Sequence, residues 1–508
     1  MPHWTTIGSW TLGLDPLGVQ ATSIRIYQSL VPGITNITNR LRYYAFYPWL
    51  VQQYERLHHS GDRDRFGRFM RRGEALFALA TVVADTGLSD GLGGSNWANA
   101  RRQAAAINGI DLRPFTDDPR SSDSYFQAAH GNFGGAYAPM LADLGILTRS
   151  TVPTVTDSHG RALADAFATS IGHVTALIEA TIEKGTATAE DLVEIGHAVH
   201  PAAIPAGSTE MSQLRQFLLA GWEDELGAQP RRATAWLLLD LYRQGISIGD
   251  DDALRDAFYE RRLPDGTRYD QQGPVIDRWR AYQANEYCHI ALESLLNGLV
   301  GLQRDAYPDG REPRRLCAEL AAMALSEAVS SWADWALEDG VAYAGAEDQL
   351  GRSIRASIRT GTRPAASVLM DAATLLAVLW SRWTDGDGDV RGIVARAAGR
   401  GGRSLAGVME TIDLHAGEPV GDVLAAVIHR HVVSDHLAIA GRKLSAGGTF
   451  TYHFTVEDGL LRDGEYDRYG YTNPRLSNLT RFLRDAGLVD ARGLTADGEA
   501  FLAENQPF

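Results

Sequence analysis

Residues 474–495 read PRLSNLTRFLRDAGLVDARGLT. Proline suits a first helical turn, where its missing N–H costs nothing and its φ is already set. Leu476, Leu479, Phe482, Leu483 and Ala486 then recur at the spacing of one buried helical face. Gly487 stops the helix. Leu488 and Val489 with the turn at 490–493 open a short β-ribbon, and Thr495, with Gly498 and Glu499 after it, suits the N-cap of a closing helix. Helix, glycine turn, ribbon and helix in that order predict a winged-helix-like module. Arg475, Asn478, Arg481 and Asp485 fall opposite the leucines. Arg pairs with guanine edges or phosphates and Asn with adenine, so this face, with Arg492 at the wing, is the candidate contact for double-stranded DNA. The alternative is the polar face of a packed helix or a protein-docking surface.

A similar order occurs over 123–172. A short helix at 124–130 meets a glycine turn at 131–135, a helix at 136–144 ends at Gly145, a Thr- and Val-rich strand pair spans 148–156, and a helix covers 161–171. The outward residues of the 136–144 helix, Ala138, Ala142 and Asp143, include no base, so this module reads as structural or protein-docking.

Between the modules the chain is helical. Apolar faces recur over 233–244, 278–302, 313–337 and 365–383, and earlier over 17–58, around a turn at Pro32-Gly33, and 74–85. Pro48 is expected to interrupt or bend its helix. The run 399–403 (Gly-Arg-Gly-Gly-Arg) reads as a linker, 419–444 as a long helix and 449–457 as a strand. The expected fold class is mainly α: a multi-domain helical protein with winged-helix-like (α+β) modules in its N-terminal and C-terminal parts. The expected domains are 1–172, a helical bundle over 173–400, and 401–508.

At 508 residues the chain is long enough for several cores. Its net charge of −15 restricts any nucleic-acid contact to a local patch and disfavours anionic membranes. Cys288 and Cys317 are its two cysteines, the usage of a reducing compartment. No signal peptide is read at 1–10, and the apolar runs 233–242 and 368–380 are too short to span a bilayer. A cytoplasmic protein is expected. Of the 48 lysine and arginine residues only Lys184 and Lys443 are lysine, so arginine abundance reflects codon bias before function.

Chemistry-bearing motifs fall short of their requirements. Gly87-Leu-Ser-Asp-Gly91 matches the string of a hydrolase elbow without the strand that must precede it. The run from Asp385 has Val390 and Arg396 where a calcium loop needs Gly and Glu. His429, His431, Asp435 and His436 share a helix but do not converge, and nearby Lys443 is a candidate phosphate or interface contact. Arg65, Arg68 and Arg72 share one helical face and are candidate nucleic-acid or anion contacts, against the alternative of a solvated face paired with Asp62, Asp64 and Glu74. No catalytic residue, metal ligand or cofactor is assigned.

Residues 17–50 read LGVQATSIRIYQSLVPGITNITNRLRYYAFYPWL. Through Leu17-Gly18, Pro32-Gly33-Ile34-Thr35, and Arg40, Arg42, Tyr43, Phe46, Pro48 and Trp49, this segment resembles an uncharacterised bacterial protein family encoded in anti-phage defence gene clusters. The resemblance implies a setting and no chemistry. Arg40 and Arg42 beside three tyrosines are candidates to stack on bases or seat a phosphate, or else they close an aromatic core. The expected function is a non-enzymatic DNA-associated subunit of a defence or DNA-processing complex, with proteins encoded by neighbouring genes as partners. The alternatives are a docking scaffold without DNA contact and a cryptic metal-dependent nuclease or other effector enzyme.

Overall fold

The computed structural model describes residues 15–85, 91–220, 228–325, 331–343, 345–360, 364–386, 388–446, 450–466 and 469–506. The chain is mainly α, and among the described residues strands form only short two-stranded antiparallel ladders. Two compact units interleave along the sequence: Met1–Leu30 with Arg255–Pro474, and Val31–Leu254 with Arg475–Phe508. This grouping crosses the expected boundaries at 172 and 400, because packing between distant segments outweighs proximity along the chain.

The first unit is built round the 33-residue helix Pro274–Ala306. Its apolar residues run all round it, the pattern of a helix with neighbours on several sides. Every side chain from 281 to 303 is buried, and helices Gln20–Leu30, Pro313–Ala324, Glu347–Thr360, Ala366–Thr384 and Gly388–Ala398 pack against it. Burial on that scale takes polar groups inside, where each needs a partner. Asn285 shows how one is met: Nδ2 donates to Val19 O at 3.2 Å and Ser23 Oγ at 2.8 Å, and Oδ1 accepts from Leu405 N at 2.9 Å.

Two readings change here. The expected linker at 399–403 is part of the unit: Arg403 Nε lies 2.9 Å from Asp435 Oδ1 and Thr22 Oγ1 donates to Arg403 O at 3.1 Å. Glycine content suggested freedom, but the arginine beside it found a buried carboxylate. The helix expected over 419–444 is present as Val420–Val427, a π-helical turn Ile428–Ser434, and Asp435–Ser445. Among the described residues this is the one helix long and apolar enough to cross a membrane, but 61% of its apolar window is buried and it carries the ion-paired Asp435. That is how a core helix of a folded unit looks.

The second unit has an aromatic core. Tyr43, Phe46, Tyr47, Phe77, Phe133 and Tyr137 meet ring to ring around helix Tyr43–His58, which runs on through Pro48. Helix Arg63–Ala84 begins earlier than expected, with Asp62 as N-cap accepting from Asp64 N and Arg65 N. It buries Glu74, whose carboxylate accepts from Asn132 N at 3.0 Å and Phe133 N at 2.6 Å and so pins the glycine turn. Residues 124–130 form no helix: Tyr125 N donates to Phe115 O, and Arg71 takes the carbonyls of Thr116, Asp117 and Ala129. Backbone groups that side chains satisfy have no need of helical partners.

Both helix–turn–ribbon–helix segments lie in this unit, and they repeat one another in detail. Residues 141–147 read LADLGIL and 483–489 read LRDAGLV. In the first, helix Ala138–Asp143 closes with Gly145 at φ 69° and Ile146 N bonded to Leu141 O at 2.9 Å. In the second, helix Leu476–Asp485 closes with Gly487 at φ 70° and Leu488 N bonded to Leu483 O at 2.9 Å. Thr156 and Thr495 then donate through Oγ1 to the carbonyls of those glycines, at 2.6 and 2.7 Å, while each Oγ1 accepts from Gly160 N or Gly498 N at 3.1 or 3.2 Å. The ribbons differ. Val489–Asp490 pairs with Gly493–Leu494, whereas the strand pair expected at 148–156 is reduced to the single bridge Leu147↔Val155. The strand expected over 449–457 shortens to Thr455–Glu457, paired with Leu460–Arg462 in the first unit; Gly448 and Thr449 lie outside the described residues.

Candidate functional site

Helix Leu476–Asp485 buries Leu476, Leu479, Phe482 and Leu483 as its spacing requires. Most of its polar face is buried too: Arg475, Asn478 and Asp485 lie inside and Arg481 is half-buried, which corrects the expected recognition surface. Arg475 starts the helix at φ 66°, its Nη1 bonded to Ile34 O and its Nε 3.3 Å from Asn36 Oδ1. Asn478 Nδ2 donates to Thr38 O at 3.2 Å and Asn39 Oδ1 at 3.0 Å, and Arg481 Nη1 reaches Asn39 Oδ1 at 3.4 Å. Asp485 accepts from Arg40 Nη2 at 2.7 Å, Arg40 Nε at 3.0 Å and Leu41 N at 3.0 Å. The cause is the segment 34–41. It has no regular structure, so its carbonyls and amides need partners, and the polar face of the helix supplies them. Spacing identified the face but carried no record of what covers it.

The other expected contacts divide similarly. Arg42 is fully buried, with Nε 2.8 Å from Glu210 Oε1, Nη2 2.9 Å from Glu210 Oε2, and its guanidinium over the Phe167 ring. Arg40 and Arg42 therefore close the aromatic core and leave no surface for bases. Arg72 ties Asp117 to the carbonyls of Ile182 and Glu183 at the end of helix Thr175–Lys184. Arg65 and Arg68 are exposed on the rim of a cavity that also holds the acidic Asp62 and Glu183. Arg492 is exposed on the ribbon turn. Lys443 is half-buried, its Nζ 3.3 Å from Asp15 O. In the string at 87–91, residues 87–90 lie outside the described residues, as does Asp387 in the acidic turn.

Comparison with protein-family models, with curated proteins and with solved structures returns no match. The site must be read from its own chemistry.

Two features of the first unit lie outside the expected contacts. One is a line of buried acid and base groups on helix Pro274–Ala306. His289 Nε2 lies 2.6 Å from Glu293 Oε1 and 3.1 Å from Gln20 Nε2, and Glu286 Oε2 accepts from Thr472 N at 2.5 Å. Burial opposes a charge on His289, but the facing Glu293 carboxylate outweighs it and raises the imidazole pKa; burial likewise raises Glu293. All three residues are fully buried inside the unit. Among the described residues, no group of three or more His, Cys, Asp or Glu is arranged to hold a metal ion.

The other is a cavity of about 570 Å³ at the π-helical turn. Arg314 enters it from the first turn of helix Pro313–Ala324, Thr411, Leu414 and His415 from helix Leu405–His415, and His429 and Arg430 from the turn itself. The histidines that share this helix point apart, as their spacing suggests. His431 turns inward to Asp435 at 3.3 Å and Thr411 Oγ1 at 2.7 Å, and His436 accepts from His453 N at 2.9 Å. Of the histidines on this helix His429 lines the cavity, and Ser434 Oγ donates to its carbonyl at 3.0 Å. Burial, with the Arg314 guanidinium nearby, holds the His429 pKa below the usual histidine value.

Proposed function

We propose that this chain is a non-enzymatic, protein-docking subunit of a bacterial anti-phage defence or DNA-processing complex. In this reading its two helix–ribbon–helix modules are winged-helix-like docking domains and not readers of duplex DNA. One observation carries the choice: Arg475, Asn478 and Asp485 are bonded to residues 34–41, so the face that a winged helix would lay in a major groove is inside the unit. The net charge of −15 supports the same choice, since phosphate contacts need a cationic surface to release counterions. Winged-helix folds serve protein contacts as readily as DNA. The defence setting rests on the resemblance of residues 17–50.

Fluorescence anisotropy with a labelled duplex at low salt tests this, using the full chain and an R481E/R492E variant, which reverses the module's two remaining candidate cations. The expected result is no difference between them, with a stable complex forming on co-expression with proteins encoded by neighbouring genes. Tight, salt-sensitive duplex binding that is lost in the double variant would restore the DNA-reading role.

A further inference from the structure

We infer that the cavity at the π-helical turn is a binding site for a phosphate-bearing small molecule of about mononucleotide size, gripped by Arg314 and Arg430 with Thr411, His415 and His429 around them.

The first ground is a cationic lining. No Asp or Glu lines this cavity, although the chain as a whole is strongly acidic. The nearest carboxylates stand just outside the lining, where Glu312 acts electrostatically on Arg314 and His429. Glu312 accepts from the backbone N–H groups of Arg314 and Arg315 at 3.0 and 2.9 Å, and Glu418 accepts from His415 Nδ1 at 2.9 Å. The Arg314 and Arg430 guanidiniums have no hydrogen bond or ion pair among the described residues. Several arginines of the chain are paired with carboxylates, as at Arg40, Arg42, Arg352 and Arg382, and these two are not. Both residues line one space, where a bound oxyanion would accept charge-assisted hydrogen bonds from them.

Size and shape are the second ground. A cavity of about 570 Å³ falls within the range of small-molecule sites and is far larger than a single anion needs. Its remaining wall is apolar, with Leu414 standing 81% exposed at the cavity and alanines opposite. An exposed leucine beside paired cations suits a ligand with a charged end and a flat or apolar body. The π-helical turn is the third ground. Such turns insert a residue into a helix and gather at functional sites. Here the turn contributes both His429 and Arg430 to the cavity.

This inference is independent of the docking role. Thermal unfolding of the full chain, titrated to about 10 mM with inorganic phosphate, AMP or adenosine, tests it through the linkage of binding to stability. AMP is expected to raise the midpoint most, phosphate less, and adenosine least. Both guanidiniums sit on exposed residues, so R314A/R430A should fold, and its AMP affinity by calorimetry should fall at least about tenfold. R65A/R68A, at the other arginine-lined cavity, should bind AMP as the parent does. A midpoint unmoved by phosphate and AMP would overturn the site, and so would AMP binding that survives R314A/R430A. Phosphate alone binding as well as AMP would reduce it to an inorganic anion site.

Discussion

Asp143 and Asp485 occupy the same place in the two modules, two residues before the glycine that ends each helix. Asp143 pairs with Arg149 in solvent, where salt and side-chain entropy leave an ion pair little net worth. Asp485 is buried, its carboxyl pushed up to about 6 by that burial against the pull of Arg40. Removing one partner of a buried pair strands the other, at a cost of about 3–5 kcal/mol. Asp485→Ala should therefore lower the unfolding free energy by about that much, while Asp143→Ala leaves the transition where it was. Chemical denaturation of both variants checks the contrast, and equal effects would contradict it. Sequence alone does not separate these residues: each lies on the polar side of an amphipathic helix, and the segment that buries Asp485 is 445 residues away.

At the scale of elements, the module is legible because its signals are local. A leucine-spaced helix, a glycine stop and a threonine cap lie within about twenty residues, and each has a backbone reason. The least obvious is the glycine that opens the closing helix. A Cβ on Gly160 would lie 2.1 Å from Ile146 O, and one on Gly498 would lie 2.2 Å from Leu488 O. Helix propensity favours Ala over Gly by about 1 kcal/mol, so Gly498→Ala should stabilise if propensity ruled. We expect the opposite, a loss of thermal stability in Gly160→Ala and in Gly498→Ala alike, because the obstructing atom is backbone and not a movable side chain. A rise in either midpoint would contradict that. Helix Pro274–Ala306 is legible as a helix over 278–302, but its buried charges are not, for the converse reason. Burial on every side leaves no stripe, so Glu286, His289 and Glu293 look like ordinary surface residues of a long helix, and Arg314 and Arg430 look like two more arginines in an arginine-rich chain.

For the whole molecule, buried titratable groups set the pH at which it is most stable. Burial raises Glu74 from 4.5 to about 8, and raises Glu260 and Glu293 as well. A carboxyl that holds its proton more tightly when folded lends stability fully below its unfolded pKa and loses it as pH rises through the folded one. His289, raised above 6.5, acts in the same direction at higher pH. His436 opposes them: burial lowers its pKa to about 3, so it subtracts stability as pH falls below 6.5. Between pH 4.5 and 6.5 the three carboxyls together outweigh His436, so the melting midpoint should be highest near pH 4.5 and fall steadily towards pH 9 at constant ionic strength. A midpoint that climbs between pH 6.5 and 8.5 would refute this assignment.

The Arg40–Asp485 pair also bears on how the chain is made. Synthesis proceeds from the N-terminus, so Arg40 emerges from the ribosome 445 residues before its partner. At translation rates of about 5–20 residues per second, roughly 20–90 s separate the two. Through that interval the aromatic helix Tyr43–His58 is complete but its arginine has no counter-ion, and the Ile34–Leu41 backbone lacks the helix that will satisfy it. Closure of the unit around residues 34–41 is therefore a late event in synthesis, timed by when residues 475–485 are made.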